Sequence, residues 1–160
     1  MGSGKTYFGK KLSQKINLPF FDLDELIEQH EQKSIVELFD SKGENYFRTI
    51  EKNILHDFAE ANESFVLSTG GGTPCFFDSI NYMNLCGISI WINTPTDILF
   101  DRLSKGKSKR PLIKNLTPSQ LKVFINSKIA ERKLVYEKAN YVINESDIDF
   151  EKIVKLICNE

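Results

Sequence analysis

The chain has 160 residues, 41% hydrophobic and 27% charged, the proportions of one soluble globular domain and not of a disordered chain. A formal net charge of -1 argues against a dominant electrostatic grip on nucleic acid or an anionic membrane surface. No apolar run approaches the roughly 18 residues of a membrane span, and the opening MGSGKTYFGKK lacks the apolar segment of a secretory signal.

Helical and strand signals then alternate along the chain, which implies an α/β layer architecture with parallel strands and right-handed crossovers. Over residues 5–16, Phe8, Leu12 and Ile16 fall four apart on one helical face. The apolar run 18–21, ending at Asp22, reads as a short buried strand. Ser34 with Glu37 forms a capping box that opens a short helix, and Gly43 ends it. A stripe of Phe47, Ile50, Ile54 and Phe58 marks an amphipathic helix over 44–61. SFVLS at 64–68 is the next strand and runs directly into Gly70, Gly71 and Gly72. Residues 78–86 are helical and stop at Gly87; ISIWI at 88–92 is the third strand.

Thr94 and Pro95 read as a cap followed by a proline at the first helical position, starting a helix towards Ser104. Residues 104–117 are basic and aperiodic and read as a loop or lid. Thr117 and Pro118 repeat the cap-and-proline device and open a long helix to about Ala139. Residues 141–143 form a fourth strand, and 150–158 a closing helix. Nothing divides the chain, so 1–160 is read as a single domain. Cys75, Cys86 and Cys158 form no CxxC pair and are expected to be reduced thiols of a cytoplasmic protein, mostly buried as small apolar groups.

Gly2, Ser3, Gly4, Lys5 and Thr6 make the back half of a GxxxxGK[ST] phosphate loop. Such glycines let backbone N–H groups turn towards phosphate oxygens at the positive end of a helix. Lys5 supplies a point charge for the β- and γ-phosphates, and the Thr6 hydroxyl is placed to ligate magnesium. The first glycine of the motif and the strand that leads into it are absent. Three or four large apolar side chains, at about 1.5–3 kcal/mol each, would go with that strand, a loss of roughly 5–12 kcal/mol. Met1 is therefore expected to be an internal methionine, with the native chain starting about ten residues earlier, room for one strand.

Asp22 and Asp24 lie at the carboxyl end of a strand, where open α/β sheets bind ligands. One carboxylate can face magnesium and the other a substrate hydroxyl; equally, either can simply cap the helix that follows. Gly70, Gly71 and Gly72 suit either a flexible turn or a close approach to a ligand. Arg48 and Arg132 read as surface charges or as a bidentate clamp on a carboxylate.

GSGKT, FDLDELIE, FRTIE, the GGG after a strand, KRPLI and AERKLVYEKA stand in the order found in shikimate kinases, and the chain resembles that family over essentially its whole length. The resemblance implies a nucleoside-monophosphate-kinase-like fold: a five-stranded parallel sheet of order 2-3-1-4-5, helices on both faces, the missing strand being the central first one. It implies ATP and Mg2+, with phosphate transfer to the 3-hydroxyl of shikimate. Lys5 would hold the nucleotide phosphates, Thr6 the magnesium, and Asp22 would stand in its outer shell. Asp24 would orient the attacking hydroxyl, Arg48 and Arg132 would grip the shikimate carboxylate, and Gly71 and Gly72 would line that pocket. Arg110, from a lid at about 104–117, would stabilise the transferring phosphoryl group. The loop around Asn144 resembles the segment flanking adenine. A monomer without nucleic-acid or membrane partners is expected. The alternatives are a kinase of another small hydroxy acid such as gluconate, or a nucleotide-binding module without catalysis.

Overall fold

A computed structural model of the chain describes residues 2–106 and 113–158. The phosphate loop leads into α1 (Lys5–Ile16), followed by β1 (Phe20–Asp22), α2 (Leu23–Glu31) and α3 (Ile35–Ala61). Then come β2 (Val66–Ser68), α4 (Ser79–Cys86), β3 (Ile90–Asn93), α5 (Thr96–Lys105), α6 (Pro118–Tyr136), β4 (Tyr141–Asn144) and α7 (Phe150–Cys158). Short 3-10 turns occupy Thr73–Cys75 and Glu145–Asp147. The element order is the expected one, with each strand shifted by one or two residues from its sequence-based bounds.

The strands form two parallel pairs, β1 with β2 and β3 with β4. In the first, Asp22 lies opposite Ser68 at the carboxyl ends; in the second, Ile90 pairs with Tyr141 and Asn93 with Asn144. These are the 2-3 and 4-5 neighbours of the expected order, and no strand among the described residues joins them.

Alternation along β3 places helices on both its faces. Ile90 and Ile92 pack with Phe8 and Leu12 of α1 and with Ile153 of α7. Trp91, pointing the other way, meets the Tyr136 ring of α6 at 5.5 Å. A second cluster joins Leu23 and Ile27 of α2 to Leu38, Phe47 and Leu55 of α3, and a third joins Leu99 and Leu103 of α5 to Leu121 and Ile125 of α6.

The expected Ser34–Glu37 capping box forms, and Thr117 caps α6 as expected, with Gln120 completing a second box. Gly43 takes φ 79 and ψ 173, so α3 bends there into two arms. Two expectations are corrected. Thr94 does not cap α5; its hydroxyl donates to the Ser3 carbonyl at 3.5 Å, and Pro95 occupies the N-cap itself. The cysteines are not mostly buried: Cys75 is half-buried, while Cys86 and Cys158, at the last turns of α4 and α7, are exposed. The centre of the expected lid, residues 107–112 with Arg110, lies outside the described residues.

Leu38 is 1% exposed at the centre of the α2–α3 cluster. Leu38→Ala is expected to remove about 2–5 kcal/mol of stability, read as a lower midpoint in urea unfolding.

Candidate active site

The phosphate loop is shaped by two left-handed glycines, Gly2 at φ 78 and Gly4 at φ 77, a region where a side chain is strained. Gly4 is the N-cap of α1, and no side chain caps that helix. Its first N–H groups are thus left for an anion. Lys5 and Thr6, on the first turn, both reach Asp22: Thr6 donates to Oδ2 at 3.1 Å, and Lys5 Nζ lies 3.6 Å from the same oxygen. The other oxygen, Oδ1, accepts from the Asp24 backbone N–H at 3.1 Å and caps α2. Both readings of Asp22, cap and site residue, therefore hold at once.

A hydroxyl and a carboxylate are hard oxygen donors of the kind magnesium takes alongside phosphate and water. Opposite Asp22, the buried Ser68 hydroxyl has no hydrogen-bond partner among the described residues. This oxygen-rich set fits a magnesium ion held mainly by nucleotide phosphates. No cluster of three or more His, Cys, Asp or Glu residues able to hold a metal occurs among the described residues.

In the first turn of α2, Asp24 faces the glycine loop: a methyl group placed on Gly70 would come within 3.1 Å of Glu51 Oε1 and 3.5 Å of Asp24 Oδ1. Burial pushes the Asp24 carboxyl above its ordinary range; Lys5 opposes this, while Asp22, Glu51 and Glu28 add to it.

Arg48 is no solvated surface charge, since its side chain is only 11% exposed. It donates to Glu51 Oε2 at 2.7 Å and, from two nitrogens, to Glu44 Oε1 at 3.3 and 3.2 Å. Of the five guanidinium N–H groups, one on each terminal nitrogen stays unused by these bonds. The Phe76 ring lies 4.4 Å from the guanidinium carbon, a cation–π contact. A Cβ on Gly72 would meet the guanidinium at 2.6 to 2.8 Å, so Arg48 would have to shift from its bonds to Glu44 and Glu51.

Glu51, three residues after Arg48 and 2% exposed, also accepts from Thr73 Oγ1 at 2.6 Å. It ties α3 to the glycine loop. The i, i+3 spacing within FRTIE was the available signal for this residue, masked there by the apolar stripe. Arg132 approaches from the other side. It acts electrostatically on the Cys75 thiol, as Arg48 does, and on the Tyr136 hydroxyl. Tyr136 in turn donates to the Gly71 carbonyl. The structure thus brings both arginines, Gly70, Gly71, Gly72 and Asp24 to one end of β1 and β2. Arg102, also missed from sequence, donates to the Gly2 carbonyl at 3.2 Å and pairs with Glu145. Asn144 accepts from Asn93 at 3.0 Å and donates to Asp147 at 3.1 Å.

The shikimate kinase family model matches residues 1–160. The chain is a member of the shikimate kinase family. A shikimate kinase of Bacteroides thetaiotaomicron is 41% identical over 149 residues, 93% of this chain and 85% of that protein. One from Flavobacterium psychrophilum is 41% identical over 144 residues, 89% of this chain and 84% of that protein. The crystal structure of the B. thetaiotaomicron shikimate kinase superposes with a TM-score of 0.90 at 38% identity, covering 98% and 93% of the two chains. A structure of Acinetobacter baumannii shikimate kinase in complex with shikimate gives a TM-score of 0.85 at 30% identity, covering 99% and 89%.

In this shikimate kinase the fit of Gly72 against Arg48 leaves no room for a methyl group. Gly72→Ala is expected to cost about 1–3 kcal/mol through overpacking, measured by urea unfolding, with the phosphate loop unaffected in nucleotide binding.

Proposed function

We propose that the chain transfers the γ-phosphate of ATP to the 3-hydroxyl of shikimate through the residues assembled at the ends of β1 and β2. The observation that carries this assignment is the position of Asp24, between the Lys5–Thr6–Asp22 cluster and the glycine loop that seats Arg48. Gly2, Ser3, Gly4 and the start of α1 cradle the nucleotide phosphates, and Lys5 neutralises the β- and γ-oxygens. Thr6 and Asp22 would hold magnesium, which would supply positive charge to the phosphate oxygens. Arg48 and Arg132 grip the carboxylate of the acid, with Gly70, Gly71 and Gly72 forming the wall against which it lies. The unused Arg48 N–H groups suit a bidentate carboxylate.

Asp24 orients the acceptor hydroxyl and takes its proton as the oxygen attacks the γ-phosphorus. A carboxyl raised by burial is a better base near neutral pH than an exposed one, and Lys5 beside it keeps the charged form accessible. Arg110, from the segment 104–117 acting as a lid, stabilises charge on the phosphoryl group while the lid excludes water. On this proposal the enzyme acts as a monomer in the cytoplasm, where ATP is supplied. No helix among the described residues is long and apolar enough to cross a membrane.

Magnesium-dependent ADP release is expected with shikimate and at background level with gluconate. Comparable rates on gluconate, or ATP binding without turnover, would overturn the assignment. Asp24→Asn is expected to lower turnover by about 10²–10⁴-fold, with the ATP dissociation constant unchanged. Because the folded state raises the Asp24 pKa, its contribution favours the fold below the ordinary carboxylate range and is lost as pH rises through the raised value. At neutral pH the charge is therefore a destabilising element, and the same substitution is expected to raise the melting temperature while it removes activity. An unchanged or lower melting temperature would contradict this.

A further inference from the structure

Three consecutive carbonyls in the glycine loop are each given a hydrogen-bond donor, and one of the donors is different in kind. The Gly70 carbonyl accepts from the Thr73 N–H at 3.2 Å, and the Gly72 carbonyl from the Cys75 N–H at 2.8 Å. Both bonds lie within the loop's own turn. The Gly71 carbonyl accepts instead from the Tyr136 hydroxyl, 65 residues away on the last turn of α6. Without side chains, these glycines lose more conformational freedom on ordering than other residues. A fixed external donor at the middle one of them therefore has a large effect on the conformation held.

Tyr136 is itself held on both sides. Its ring packs against Trp91 of β3 at 5.5 Å, so its position is referred to the sheet. Arg132 stands one helical turn earlier and acts electrostatically on that hydroxyl. A phenol has one proton to donate, and here it goes to the Gly71 carbonyl. Burial pushes the phenol's pKa up, with Arg132 opposing, so the donor stays protonated through the neutral range.

We propose that Tyr136 is a positioning residue of the acid pocket, setting Arg132 and the glycine loop in register so that the two guanidinium groups meet a single carboxylate. Gly71 is chained directly to Gly72, whose bare α-carbon is what admits the Arg48 guanidinium. One hydroxyl thereby ties the last turn of α6, which carries Arg132, to the seat of Arg48 through the backbone of the glycine loop. Tyr136 touches neither the nucleotide loop nor Asp24 in any described contact, so its influence falls on acid binding. This inference rests on the acid-clamp assignment above.

Tyr136→Phe keeps the ring and its packing on Trp91 and removes only the hydroxyl. Steady-state kinetics should show the KM for shikimate rising about threefold to tenfold, the scale of one lost hydrogen bond to a neutral carbonyl. The KM for ATP and kcat should each move less than about twofold on that view. Shikimate affinity measured by calorimetry should fall in parallel, and the melting temperature should change little. An unmoved shikimate KM, in an enzyme that does turn over shikimate, overturns the inference alone. Equal rises in both KM values with a lowered melting temperature overturn it in favour of general loosening. If the unsubstituted chain shows no shikimate turnover, the acid-clamp assignment falls and this inference with it.

Discussion

Asp22 gives one carboxylate oxygen to each half of the site. Oδ2 receives Thr6 and Lys5 from the start of α1, and Oδ1 receives the Asp24 N–H and so starts α2. One strand-end carboxylate thereby fixes the distance between Lys5 and Thr6 on one side and Asp24 on the other. In phosphoryl transfer the protein's work is mostly positioning and charge neutralisation, so this one double attachment sets the geometry on which the rest depends. The parallel pairing of β1 with β2 then brings the glycine loop to the same end, because Ser68 lies opposite Asp22 and the loop follows within two residues.

Charge buried around that point is costly and is matched with care. Glu51 is nearly inaccessible, yet each of its oxygens has a donor, Arg48 on one and Thr73 on the other. A buried ion pair adds little net stability, but losing one partner is strongly destabilising. The pair is therefore better understood as holding Arg48 at a set angle than as holding up the fold. Asp24 is the opposite case, an acid kept in a place that disfavours its charge, the kind of local sacrifice that active sites show.

Much of this was legible in the sequence because the signals were local. The phosphate loop, the Ser34 capping box, the Thr117 cap with its proline and the break at Gly43 each depend on residues within four positions of one another, and each formed as read. Thr94 misled for the converse reason. Its local pattern was that of a cap, but a carbonyl 91 residues away claimed its hydroxyl. Glu51, Tyr136 and Arg102 act through partners 22, 65 and 100 residues distant, separations that periodicity does not encode. The cysteine expectation failed because average burial preference says nothing about a residue at the end of a helix. The expected roles of Arg48 and Arg132 came from their place in an ordered set of motifs and not from any property of a lone arginine.

Gly43 carries a different kind of freedom. Its backbone lies in a region open almost only to glycine, yet a side chain there would meet no atom within 4 Å. The bend in α3 is thus enforced by torsion and not by neighbours. Arg48 and Glu51 both lie beyond the bend, and the arm before it returns to that side through Phe39 against Phe47. A change at this one unencumbered position would therefore re-aim the leading arm while the bonds of Arg48 and Glu51 stayed in place.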